Sequence, residues 1–107
     1  MALDVNAESF DKEVIQSETP VLVDFWGPQC GPCLALMPAV EGLEEKYGEK
    51  LKIVKLNASQ NKRFCLSMRV LGLPTYLVYK DGQEVERLTG GDLTISDIEE
   101  ALKKIAE

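Results

Sequence analysis

Apolar residues are spaced along the chain in two ways. Val21-Leu22-Val23-Asp24-Phe25-Trp26 is nearly continuous, interrupted by one carboxylate. Runs of this kind suit a central strand covered on both faces. Leu51 to Leu56 and Thr75 to Tyr79 read as further strands. Lys80-Asp81-Gly82-Gln83 predicts a hairpin turn into a partner strand that runs through Leu88. Ala2 to Val5 predicts a short edge strand, and Pro20 suits a strand start. Between these runs the spacing becomes helical. Asn6 can cap a helix carrying Phe10, Val14 and Ile15. Cys33, Leu36, Met37, Val40, Leu43 and Tyr47 mark a long helix, with a kink expected at Pro38 and a stop at Gly48. Asn57 to Met68 predicts a short helix bearing Phe64, Cys65 and Met68. Thr94 and Asp97 form a capping box that opens a last helix burying Ile98, Ala101, Leu102 and Ile105. The order is β-α-β-α-β-α-β-β-α. Early strands joined by helices imply parallel crossovers and the hairpin adds an antiparallel pair, so an α/β fold with a mixed sheet between helices follows.

Composition narrows the chemistry. A chain of 107 residues fits one domain, residues 1–107, with a core that needs no staples. Net charge is −6, which disfavours nucleic acid and anionic membrane as partners. No apolar run approaches membrane-spanning length, and the start of the chain lacks the basic and apolar regions of a signal peptide. The absence of histidine removes the usual general base and the commonest neutral metal ligand. Three cysteines are an odd set, unlike a secreted disulfide framework. A reducing cytoplasm is the expected location, and it suits a reactive rather than a structural cysteine pair.

That pair is Cys30-Gly31-Pro32-Cys33, set where the apolar strand gives way to the long helix. A thiol at a helix N-terminus meets unpaired N–H groups and the positive end of the dipole, which favour thiolate. Thiolate is the species that attacks disulfides. Cys30 is therefore the candidate nucleophile. Cys33, one turn inward on the apolar stripe, is the candidate resolving thiol, and burial holds it neutral. Proline fits the first helical turn because it has no N–H to lose. The competing reading is half of a metal site, but tetrahedral zinc needs four ligands and one chain offers three cysteines and no histidine. Asp24 breaks an otherwise apolar strand. A buried carboxylate resists ionising and can take a proton near neutral pH, so Asp24 is a candidate acceptor for the Cys33 proton; its bland alternative is a carboxylate at a strand end. Lys55, within Ile53-Val54-Lys55-Leu56, could tune Asp24 or could reach solvent along its apolar stem. Trp26 is expected to pack beneath the active loop. Cys65 reads as an inert helix core residue, the alternative being an exposed thiol open to modification. The charged stretch from Glu41 to Lys52 reads as a solvated face with no site implied.

The order of elements, together with Val23-Asp24-Phe25-Trp26, Cys30-Gly31-Pro32-Cys33, Pro38, Lys55-Leu56-Asn57, Gly72-Leu73-Pro74-Thr75, the Lys80-Asp81-Gly82 turn and Gly90, resembles the thioredoxin family over nearly the whole chain. The resemblance implies a thioredoxin fold: a central mixed five-stranded sheet flanked by four helices. A favoured thiolate at the first cysteine is a known property of that family. The resemblance further implies a protein-disulfide reductase that forms a Cys30–Cys33 bridge and is restored by a thioredoxin reductase-type electron donor. Disulfide-containing proteins would be its targets, and it would act as a monomer with no cofactor or metal. Catalytic residues would be Cys30, Cys33, Asp24 and Lys55. The substrate-facing set would be Trp26, Gln29, Gly31, Pro32, Leu73, Pro74 and Gly90, with a cis Leu73–Pro74 bond and Leu73 backbone groups pairing with a bound peptide. Gln29 is a departure, because the family usually has tryptophan there. It motivates a narrower alternative, a dedicated carrier for one reductase and one target. A redox-independent binding subunit is the alternative of another class.

Overall fold

The computed structural model describes residues 2–106. Five strands form one sheet: β1 (Leu3–Val5), β2 (Val21–Trp26), β3 (Lys52–Asn57), β4 (Thr75–Lys80) and β5 (Gln83–Thr89), in the order β1-β3-β2-β4-β5. β1 and β2 run parallel to β3, whereas β4 runs antiparallel to β2 and to β5. The nearly continuous apolar run thus takes the centre, with Val21 to Phe25 paired to a neighbouring strand on both sides. The hairpin turn forms as expected, with Asp81 and Gly82 both at positive φ.

Alternation along β2 divides the core. Val21, Val23 and Phe25 point to one face, where Phe10, Val14 and Cys65 cover them. Leu22 points to the other with Tyr76 and Val78, beneath Val40 and Leu43 of α1 (Gly31–Tyr47) and Ile98 and Leu102 of α3 (Ile95–Ala106). By the same alternation Asp24 shares the Leu22 face.

Three elements differ from expectation in detail. The helix after Asn6 is a five-residue π-helix, Asp11–Ile15, closed by Gln16 N–H donating to the Asp11 carbonyl. Asn6 caps the turn that leads into it, as expected: Asn6 Oδ1 accepts from Ser9 N–H, Asn6 N–H donates to Ser9 Oγ, and Phe10 N–H donates to the Asn6 carbonyl. Helix α1 begins at Gly31 and continues through Pro38. Gly48 does end it, as its C-cap, with its N–H donating to the Glu44 carbonyl. The segment after β3 splits into a 3-10 turn, Ala58–Gln60, and α2 (Lys62–Ser67). The Thr94–Asp97 capping box forms reciprocally, at 2.9 and 3.2 Å.

Candidate active site

β2 ends at Trp26, and Gly27-Pro28-Gln29 carries the chain to the N-cap of α1, which is Cys30. Cys30 is extended (φ −91°, ψ 99°), so its side chain turns back over the first turn, where Cys33 N–H donates to Cys30 Sγ at 3.2 Å. Pro32 occupies the first turn, where its missing N–H costs nothing. The two sulfurs are bonded to each other, so this is the oxidised form. Cys30 is half-buried beside exposed Gly31, Pro32 and Gln29, whereas Cys33 is wholly buried.

A groove of about 610 Å³ opens beside Cys30. Gly27, Pro28 and Gln29 line one side; Leu73 of the 72–74 loop, Ala58, Ser59 and Lys62 line the rest. The Leu73–Pro74 bond is cis. A β-carbon at Gly27 would lie 3.2 Å from Leu73 Cδ1, so the Leu73 side chain seats closely against the end of β2. Gly90 N–H donates to the Pro74 carbonyl at 3.1 Å, tying the end of β5 to that loop. Gly91 packs beside the first turn of α1: a β-carbon there would lie 3.8 Å from Pro32 Cγ. Trp26 lines a different depression, with Asp4, Asn6, Asn57 and Asn61.

Asp24 is fully buried, and neither carboxylate oxygen has a hydrogen-bond partner. Burial pushes its carboxyl up to about 7, against the pull of the Lys55 ammonium and with a further push from Glu41. Lys55 pairs in register with Asp24 across β2 and β3, but its ammonium is engaged elsewhere, 3.7 Å from Glu41 and 3.9 Å from Asp4. It therefore acts on Asp24 through its field. Glu41 corrects the reading of residues 41–52 as a merely solvated face: its carboxylate holds Lys55 and is felt at Asp24. Lys52 likewise bonds Glu13 at 2.7 Å. Sequence reasoning missed Glu41 because its neighbours are charged and exposed. It missed the groove residues Ser59 and Lys62 because only the fold brings them to Cys30. Cys65 is buried on the opposite sheet face, and burial pushes its thiol up, which keeps it protonated. Among the described residues, no cluster of three or more His, Cys, Asp or Glu could hold a metal ion, and no helix is long and apolar enough to cross a membrane.

The sequence profile of the Thioredoxin family matches residues 1–104. This chain belongs to the thioredoxin family. Among similar proteins, the thioredoxin of Acetoanaerobium sticklandii is 42% identical over 101 residues, covering 94% of this chain and 96% of that one. The thioredoxin of Peptoclostridium acidaminophilum is 40% identical over 104 residues, covering 97% and 94%. The thioredoxin of the red alga Porphyra purpurea is 37% identical over 100 residues, covering 94% and 92%. The family and the bonded Cys30–Cys33 pair make the chain a thiol–disulfide oxidoreductase. As in thioredoxins generally, its partners are a reductase and disulfide-bearing targets.

Proposed function

We propose that the chain is a general protein-disulfide reductase in which the two cysteines have unequal tasks. The observation that carries this is their asymmetry: Cys30 is half-buried and its sulfur accepts a helix N–H, whereas Cys33 is sealed beneath it. The donor and the helix end favour thiolate at Cys30. Cys30 thiolate attacks one sulfur of a substrate disulfide, forms a mixed disulfide and releases the other sulfur as thiolate. Cys33 passes its proton to the Asp24 carboxylate, directly or through one water, and attacks Cys30 Sγ. The Cys30–Cys33 bond forms and the second substrate sulfur leaves as thiolate. A reductase of the thioredoxin reductase type returns two electrons to the pair.

Asp24 suits the acceptor role because a group near 7 exchanges its proton at neutral pH. Lys55 keeps that value from rising further. The groove beside Cys30 receives the substrate chain. Gln29 and Leu73 line it, exposed Gly31 and Pro32 flank Cys30 at the start of α1, and the bond from Gly90 N–H to the Pro74 carbonyl holds the loop for a substrate backbone to pair with Leu73. The chain acts as one domain, as a monomer, in the cytoplasm. Nothing in the geometry favours the dedicated carrier or the redox-independent subunit.

The test is to trap the intermediate. Cys33→Ser, mixed with a disulfide-bearing protein such as insulin, is expected to accumulate a mixed disulfide at Cys30 detectable by mass spectrometry, and Cys30→Ser is expected to be inactive. Normal turnover by Cys33→Ser would overturn the assignment of roles.

A further inference from the structure

Asp24 is not the only unpartnered polar group on its sheet face. Tyr76 lies directly opposite it in the antiparallel β2–β4 register, is equally buried, and its hydroxyl also lacks a hydrogen-bond partner. A buried polar group without a partner is costly, and a donor and an acceptor left open side by side each offer what the other lacks. Directly opposed residues have β-carbons about 5 Å apart, so the two side chains leave the sheet side by side on one face of the core. Phenylalanine would fill the same volume without the polar cost, so packing alone does not account for the hydroxyl.

The groups around Asp24 leave a donor role open. Lys55 on β3 is held by Glu41 of α1 and Asp4 of β1. Glu41 carries negative charge, and α3 presents Ile98 and Leu102 to this face. The disulfide of α1 offers no proton in the oxidised form, and in the reduced form the Cys33 thiol carries the proton that Asp24 is to take, so a separate donor to the ionised carboxylate is still wanting. We propose that Tyr76 is a positioning residue for Asp24: its hydroxyl donates to the ionised carboxylate, directly or through one bridging water, and yields when Asp24 takes the Cys33 proton. The phenol keeps its own proton throughout, since burial, and next the charge of Asp24, push its ionisation upward. Tyr76 thereby makes Asp24 easier to ionise and readier to act as a base in the reduced protein. This rests on the reading of Asp24 as proton acceptor.

The test is the titration of Asp24 in reduced protein, followed by carbon-13 NMR of labelled aspartate carboxyls. Asp24→Asn assigns the signal. In Tyr76→Phe the midpoint is expected to rise by about one pH unit, a tenfold change in the ionised-to-neutral ratio. The pH profile of mixed-disulfide resolution is expected to move the same way. Site-specific 3-fluorotyrosine at position 76, a stronger donor of the same shape, is expected to lower the midpoint, which keeps the test decisive if the phenylalanine variant folds poorly. Unchanged Asp24 titration in both variants would overturn the role of Tyr76. Failure of the underlying reading looks different: Asp24→Asn would then resolve mixed disulfides with the parent's pH profile, whatever the titration shows.

Discussion

Replacing Asp24 by asparagine should make the protein more stable at neutral pH, by an amount set by pH. The carboxyl titrates near 3.8 when solvated and at about 7 when buried in the fold. Between those values the folded chain binds a proton that the unfolded chain has lost, so stability falls as pH rises through this window. The gap of about three pH units, at about 1.4 kcal/mol per unit, sets an upper limit of ~4 kcal/mol. Below about pH 3 both states are protonated and the effect vanishes. Above about pH 8 both are ionised and it is constant. Asparagine still buries an amide without partners, at a cost of ~1–3 kcal/mol, but that cost does not vary with pH. The carboxylates lowered by ion pairing, Glu13, Glu84 and Glu99, contribute with the opposite sign at acid pH, and they do so equally in both proteins. The assay is urea unfolding of oxidised parent and Asp24→Asn at intervals from pH 4.5 to 9. The stability difference, variant minus parent, should climb by several kcal/mol from pH 4.5 to 7.5 and then level off. A difference that stays flat across this range would refute the claim that Asp24 is held in a desolvated site.

Three further substitutions probe other parts of the account. Gly82→Ala should destabilise by more than ~1 kcal/mol in urea unfolding, because residue 82 has φ +79° and a β-carbon would sit 2.9 Å from the Ile15 carbonyl oxygen. Thr94→Ala removes the hydroxyl oxygen that accepts from Asp97 N–H and should cost ~1 kcal/mol in the same assay. Lys55→Gln removes the charge that opposes burial at Asp24, and the Asp24 midpoint measured by carboxyl NMR should rise above about 7.

The parts of the fold legible in the sequence were those in which local pattern and tertiary setting agree. The run from Val21 to Trp26 is apolar on both faces because β2 lies between β3 and β4 with helices above and below, so its central place could be read directly. The hairpin and the Thr94–Asp97 box are written in a few adjacent residues. The helix after Asn6 was legible as helix from the spacing of Phe10, Val14 and Ile15 but not as π, since i→i−5 bonding, as from Gln16 N–H to the Asp11 carbonyl, makes the difference and leaves no mark in the apolar pattern. Cys30 and Cys33 stood out by their spacing at a strand-to-helix junction, and Asp24 because it interrupts an apolar strand. Glu41 and Tyr76 did not, since a glutamate in a charged helix and a tyrosine in a strand look ordinary. Only the packing of α1 on the sheet and the pairing of β4 with β2 bring them to Asp24. Lys62 and Ser59 were invisible for the same reason.

The most direct measurement is redox equilibration in graded glutathione or dithiothreitol buffers, with acid quenching, alkylation of free thiols and peptide mapping by mass spectrometry. Cys30 and Cys33 should pass from free to mutually bonded together, as one two-electron couple, with Cys65 becoming alkylated only after unfolding. Oxidised protein in which Cys30 and Cys33 are not joined to each other, or in which Cys65 supplies one of the two reacting sulfurs, would contradict the account.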